Sequence, residues 1–299
     1  MTWIMGKAAQ AAAMFAASSI VMILINKELA RGLMGYAHII LLIQNSGTLA
    51  LLKWTKRDLT FSSDVAVQWL PCVALFTTNI ATSMLALSYL SVPTFTVFRN
   101  TQPILATVLD FVLRQEVTDI RSIGCLIMIL VGAFIYAFND LYFHLSGYVW
   151  AMIHVISMSL YSVAVKYKIN SLKLEAYEMS WYNNLLSTYL LILTVLYRHQ
   201  SLVSFFEDCT PELWFFLVMS SAGGFCVSVS GFMAQESLSP TSWLTVNNLS
   251  KIPAIVLSCY IWDVQLGTME IIGMVTSILG GYLYSLSKQR AKVETTSQV

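Results

Sequence analysis

Ten apolar stretches, each long enough to cross a bilayer and joined by short connections, dominate this chain. They lie near residues 9–29, 36–53, 65–88, 92–113, 119–138, 145–166, 176–197, 211–233, 239–261 and 267–286. A hydrocarbon core calls for about 17–25 apolar residues per helix. Lipid offers no water to an open backbone, so segments of this length must close their hydrogen bonds internally as helices. Composition agrees: 57% of the 299 residues are hydrophobic and only 11% are charged, against about 25% charged in soluble domains. The expected fold class is an all-α polytopic membrane protein, one transmembrane domain over 1–299 with a cytosolic tail at 287–299. No small-residue cleavage site follows the first apolar stretch, which is expected to be a retained span.

Basic residues test the count. If both termini share one side, that side receives Lys7, Lys53, Lys56, Arg57, Arg114, Arg121, Lys166, Lys168, Lys173, Lys288, Arg290 and Lys292. The other side receives Lys27, Arg31 and Arg198, which leaves Arg99 and Lys251 inside spans. The positive-inside rule then places both termini in the cytosol, and an odd number of spans would destroy the bias.

The two halves repeat weakly. Leu90-Ser91-Val92-Pro93 resembles Leu238-Ser239-Pro240, and the interval from Pro93 to Asn100 equals that from Pro240 to Asn247. The interval from Pro93 to Glu116 likewise equals that from Pro240 to Asp263. With five spans per half, the second copy (about 145–286) must enter the membrane opposite to the first (about 9–138). That is an inverted repeat, a plan that places substrate near the midplane between the halves.

Several function classes fall away. A net charge of +1 without a basic run does not suit a nucleic-acid partner. Five scattered cysteines form no C-x-x-C pair, so neither a disulfide framework nor a metal site is expected. No nucleophile, base and acid stand at a telling spacing, so neither an enzyme nor a cofactor is expected.

What remains is a set of polar residues at membrane depth. The ninth span carries Asn247, Asn248, Ser250 and Lys251 in its middle, with Pro253 just beyond. An intramembrane charge costs about 2.5–3.5 kcal/mol on insertion scales. Lys251 stands about twelve residues from either end of its segment, roughly 18 Å at 1.5 Å per residue, too far for easy snorkelling. The fourth span carries Arg99 and Asn100, with Arg99, Gln102, Ala106 and Asp110 on one expected stripe. A guanidinium suits phosphate through its planar fork, and an ammonium acts as a point charge. The two could clamp a diphosphate from opposite walls. In the seventh span, Tyr182, Asn183 and Asn184 can either present amide edges and a ring to a nucleobase or hydrogen-bond between helices. Gln44, Asn45, Thr77, Thr78, Asn79, His154 and Ser157 read first as interhelical hydrogen bonders. Glycines in the eighth and tenth spans, Gly223, Gly224, Gly231, Gly273, Gly280 and Gly281, read as packing faces within the fold or between subunits of a homodimer.

These residues resemble a known family. Trp181-Tyr182-Asn183-Asn184 resembles the FYNN motif of nucleotide-sugar transporters in the drug/metabolite transporter superfamily. Asn247-Asn248-Leu249-Ser250-Lys251-Ile252-Pro253 resembles the GALNK motif of the GDP-mannose transporter group. Asn247, Asn248 and Ser250 stand where that motif has Gly, Ala and Asn. Ile25-Asn26-Lys27 and Val97-Phe98-Arg99-Asn100 resemble the family's early Asn-Lys and its fourth-span F-[KR]-N. The resemblance implies a ten-span inverted repeat in the Golgi or ER membrane. It implies import of a nucleotide sugar, GDP-mannose being favoured, in exchange for a nucleoside monophosphate. Carried over residue by residue, Asn183 and Asn184 read the base, Tyr182 lines the pocket, and Lys251 and Arg99 hold phosphate. A UDP-sugar carrier, a triose-phosphate carrier of the same superfamily and a non-transporting scaffold are the alternatives.

Overall fold

The computed structural model describes residues 2–114, 118–197, 202–237, Trp243, Asn247 and 252–297. The described residues are helical, with no strand among them. In chain order the helices are α1 (Thr2–Gly32), α2 (Ala37–Thr55), α3 (Ser63–Tyr89), α4 (Val92–Arg99), α5 (Gln102–Arg114) and α6 (Ile120–Phe138). There follow α7 (Leu145–Leu172), α8 (Ala176–Tyr197), α9 (Leu202–Asp208), α10 (Pro211–Ser237), α11 (Ile252–Ile261) and α12 (Thr268–Ser297).

Six of the described helices are long and apolar enough to cross a membrane: Gln10–Gly32, Ser63–Tyr89, Ile120–Phe138, Leu145–Leu172, Pro211–Glu236 and Thr268–Lys288. This makes the protein a multi-pass membrane protein. Helices α2 and α8 have the length but carry more polar residues, including Gln44, Asn45, Asn183 and Asn184, all buried. The two pack on each other, on α3 and on α10. Such central helices are shielded from lipid by their neighbours and can carry amides that a lipid-facing helix could not.

Local chemistry sets the boundaries. Gly35, with φ of +98°, makes the turn between α1 and α2, a conformation that favours glycine. The Ser91 hydroxyl accepts from the Thr94 amide at 3.2 Å and Pro93 sits in the first turn, a strong start for α4. Asp119 caps α6 through the Arg121 amide. Glu270, fully buried, accepts from the Gly267 amide at 2.5 Å and the Leu141 amide at 3.3 Å, fastening the start of α12 to the loop before α7.

Two expectations need correction. The fourth stretch is not one helix: it breaks at Asn100–Thr101 into α4 and α5. Pro103 supplies no amide hydrogen and its ring opposes a carbonyl one turn back, so the chain tightens there, Thr101 donating to the Phe98 carbonyl at 3.0 Å. The stripe from Arg99 to Asp110 is therefore not a continuous helical face. Past residue 286, where the tail is expected, α12 runs on to Ser297. Finally, Arg99 and Lys251 are not the only basic residues within spans, for Lys27 lies in α1 and Lys166 in α7.

The glycine faces serve packing inside the fold. A Cβ on Gly132 of α6 would lie 2.4 Å from the Ser277 amide nitrogen of α12, and one on Gly273 would lie 2.5 Å from that of Tyr136. Backbone meets backbone there, a contact only small residues allow. On α10, a Cβ on Gly224 would lie 2.8 Å from the Thr48 hydroxyl of α2.

Candidate functional site

A cavity of about 220 Å³ lies between α1, α2, α3, α4, α7, α8 and α10. Its polar lining includes Asn26, Gln44, Asn45, Asn79, Arg99, His154, Asn184, Gln235 and Asn247, interleaved with Phe15, Phe76, Tyr161, Phe232 and Trp243. No carboxylate is among the described residues that line it. Among those residues Arg99, at the end of α4, supplies a guanidinium.

Arg99 is 7% exposed. It donates from Nη2 to Asn247 Oδ1 at 3.4 Å, and its guanidinium carbon lies 5.6 Å from the Phe95 ring centroid. The fourth and ninth spans, matched in the sequence, thus meet at the cavity. Nearby, His154 Nδ1 lies 3.1 Å from the Asn79 carbonyl oxygen, its ring 5.0 Å from that of Phe95. Across the cavity Asn45 donates to Ser187 Oγ at 2.7 Å and Gln44 donates to Asn26 Oδ1 at 2.9 Å. Trp243 packs against Phe15 with centroids 4.6 Å apart. Among the described residues three buried atoms on this wall have no hydrogen-bond partner: Asn79 Oδ1, Gln235 Oε1 and Trp243 Nε1. Leaving such groups unmatched costs about 1–3 kcal/mol each.

The structure sorts the expected site residues. Asn184 lines the cavity and donates to the Ser180 carbonyl at 2.8 Å and to Ser228 Oγ at 3.2 Å. Asn183, fully buried, lies off the cavity wall: it accepts from Trp69 Nε1 at 2.8 Å and donates to the Tyr161 hydroxyl at 2.6 Å. Tyr182 is also off the wall, its hydroxyl accepting from the Ser62 amide at 3.0 Å and tying α8 to the loop before α3. Asn100 points at α12, donating to the Ser277 carbonyl and hydroxyl at 2.6 and 2.9 Å. Asn248, Ser250 and Lys251 lie outside the described residues.

Other wall residues were read from sequence as interhelical hydrogen bonders or not singled out. Gln44, Asn45, Asn79 and His154 do bond between or within helices, and they also face the cavity. Gln235, Phe15 and Trp243 carried no signal, since a lone Gln near a helix end or an aromatic in an apolar run is common in any span.

Comparison with known proteins gives a family. Over 252 residues the chain is 28% identical to GDP-fucose transporter 1 of Arabidopsis thaliana, a match covering 80% of this chain and 72% of that protein. It is 24% identical over 254 residues to a GDP-mannose transporter of Meyerozyma guilliermondii, with 80% and 72% covered. A solved crystal structure shares the fold over 93% of this chain and 98% of its own, with a TM-score of 0.64 and 15% identity. Residues 9–285 match the Triose-phosphate Transporter family. The chain belongs to that family, one of transporters and not of enzymes.

Proposed function

We propose that the protein is an antiporter carrying a nucleotide sugar, a GDP-sugar such as GDP-mannose being favoured, from cytosol to Golgi or ER lumen in exchange for a nucleoside monophosphate. The observation that carries this reading is the cavity: a guanidinium, no carboxylate among its described lining residues, and amides interleaved with aromatic rings. A nucleotide needs these three things, a cation for phosphate, polar edges for the base and rings for its face. The relatives named for GDP-fucose and GDP-mannose support the choice of a GDP-sugar. Arg99, Asn184 and Asn247 are the substrate contacts proposed from the wall, and Lys251 is assigned to phosphate by the sequence argument.

The proposed architecture is ten spans in two inverted halves, about 9–138 and 145–286, with both termini cytosolic. Helix pairing supports it. If α1, α2, α3, α4–α5 and α6 exchange with α7, α8, α10, α11 and α12, the pair α3–α7 becomes α10–α1, and both pairs pack closely. Likewise α3–α8 becomes α10–α2, and α2–α8 and α6–α12 map onto themselves.

The test is counterflow into proteoliposomes preloaded with GMP. Uptake of GDP-mannose or GDP-fucose above that of unloaded vesicles is expected, with Lys251→Ala abolishing it. The family's description favours a second reading, exchange of triose phosphate for inorganic phosphate. Such exchange with no nucleotide uptake would replace the first reading by the second.

A further inference from the structure

Two lysines bind main-chain oxygens at helix ends. The Lys27 amine of α1 donates to the carbonyls of Leu87 and Leu90 at the end of α3, both at 2.8 Å. The Lys166 amine of α7 donates to the carbonyls of Gln235 at 3.0 Å and Glu236 at 2.8 Å, at the end of α10. Helices α1 and α7 hold the first place in their halves, α3 and α10 the third. In the ten-span arrangement proposed above successive spans reverse direction, which puts the end of α1 and the end of α7 at opposite faces of the bundle. Each lysine thus does the same thing at its own face.

The anchored ends lead into the cavity's charged contact. From Leu90 the chain passes through Ser91 into α4, which ends at Arg99, and α10 precedes the stretch carrying Asn247. Those two side chains meet at 3.4 Å. The cavity, about 220 Å³, is below the range of about 300–1,000 Å³ usual for ligand pockets, so it must widen to admit a nucleotide sugar. Widening at one face means parting α3 from α1, and at the other parting α10 from α7.

Resting on the carrier reading above, we propose that Lys27 and Lys166 are positioning residues acting as a pair of latches, one per face, that hold the cavity closed and release in turn. The chemistry suits a reversible contact. An amine on main-chain carbonyls can exchange them for water when that face wets. A purely structural cap also satisfies the last carbonyls of a helix. The two roles separate by sidedness: losing a cap loosens the protein, and losing a latch opens one face.

The experiment uses the full chain in vesicles, with Ser83→Cys on the cavity wall as reporter and an impermeant thiol reagent applied from either side. Labelling of the native cysteines, measured with Ser83 intact, is subtracted. Lys27→Met is expected to raise reporter labelling several-fold from the face where α3 ends and lower it from the other. Lys166→Met is expected to do the reverse, and Lys→Arg at either position, which still caps, to restore the wild-type pattern. A second arm needs no variant: pulsed acylation of the wild-type amines, read by mass spectrometry with and without GMP, should show Lys27 and Lys166 reacting reciprocally. Equal changes from both faces, or amines that react together or not at all, would overturn the latches. Counterflow with unchanged sidedness would overturn the latches and leave the carrier standing. Reciprocal sidedness without nucleotide counterflow would keep the latches and overturn the nucleotide-sugar reading.

Discussion

Consecutive helical residues point about 100° apart, and that angle divides labour among neighbours here. Asn184 faces the cavity, while Asn183, one residue earlier, is held by Trp69 and Tyr161. Asn183→Ala would strand an indole N–H and a phenol, at about 1–3 kcal/mol for each buried group left unmatched. It is expected to lower the melting temperature while leaving base preference intact in the folded fraction. Asn184→Ala is expected to do the opposite, weakening nucleotide binding by about 1–3 kcal/mol with little change in melting. Thermal unfolding with and without GMP, UMP and AMP separates the two. Arg99 makes a similar division with Asn100, which is turned to Ser277. Arg99→Lys keeps a charge but loses the fork that reaches Asn247 and the flat face over Phe95. Ligand-induced stabilisation by GDP should fall about tenfold in apparent affinity, roughly 1.4 kcal/mol. Unchanged affinity would place the phosphates elsewhere.

Among elements, the pair α6–α12 is the most closely packed, and it stands away from the described cavity wall. Gly132 and Gly273 let the two backbones touch, and neither neighbour can yield because the atoms in the way are main-chain. Gly132→Ala is expected to cost about 1–3 kcal/mol by overpacking, read as a lower melting temperature, with ligand affinity preserved in the folded protein. Gly124 in the same helix has nothing within 4 Å of its would-be Cβ. Gly124→Ala should be neutral or gain up to about 1 kcal/mol from helix propensity. If both substitutions behave alike, the close approach is not what limits stability. By contrast the ion pair between Lys56 and Glu175 is mostly exposed, with side chains 34% and 69% accessible. Solvent screening leaves such pairs about 0–1 kcal/mol, so the loops are not where this fold is held.

For the molecule as a whole, the proposed ten spans would put both termini on one side, the side that would then collect most of the basic residues. Accessibility labelling of tags placed before Thr2 and after Val299 should find both in the cytosol. One tag on each side would break the inverted-repeat plan. Substrate provides a second check at this scale: a ligand at a hundred times its dissociation constant adds about 2.7 kcal/mol to stability. The pattern of stabilisation across nucleotides should therefore rank the cargo before transport is measured.

Much of this protein was legible in one dimension. Spans of lipid length announce helices because nothing else satisfies the backbone there. Most of the expected boundaries fall within a few residues of the observed helices, since Gly35, Ser91 with Pro93, and Asp119 act through their immediate neighbours. The burial of Arg99 inside the bundle was legible too, because the cost of exposing a charge to lipid is a property of the residue and its depth alone. Direction around a helix axis was not. Sequence grouped Tyr182 with Asn183 and Asn184, and Asn100 with Arg99, where only the packing of α3, α8 and α12 decides which side chain meets the cavity. Nor could sequence show that Lys27 and Lys166 are partners in role. Each finds its carbonyls on a helix about sixty to seventy residues away, and a main-chain oxygen leaves no mark in the order of side chains.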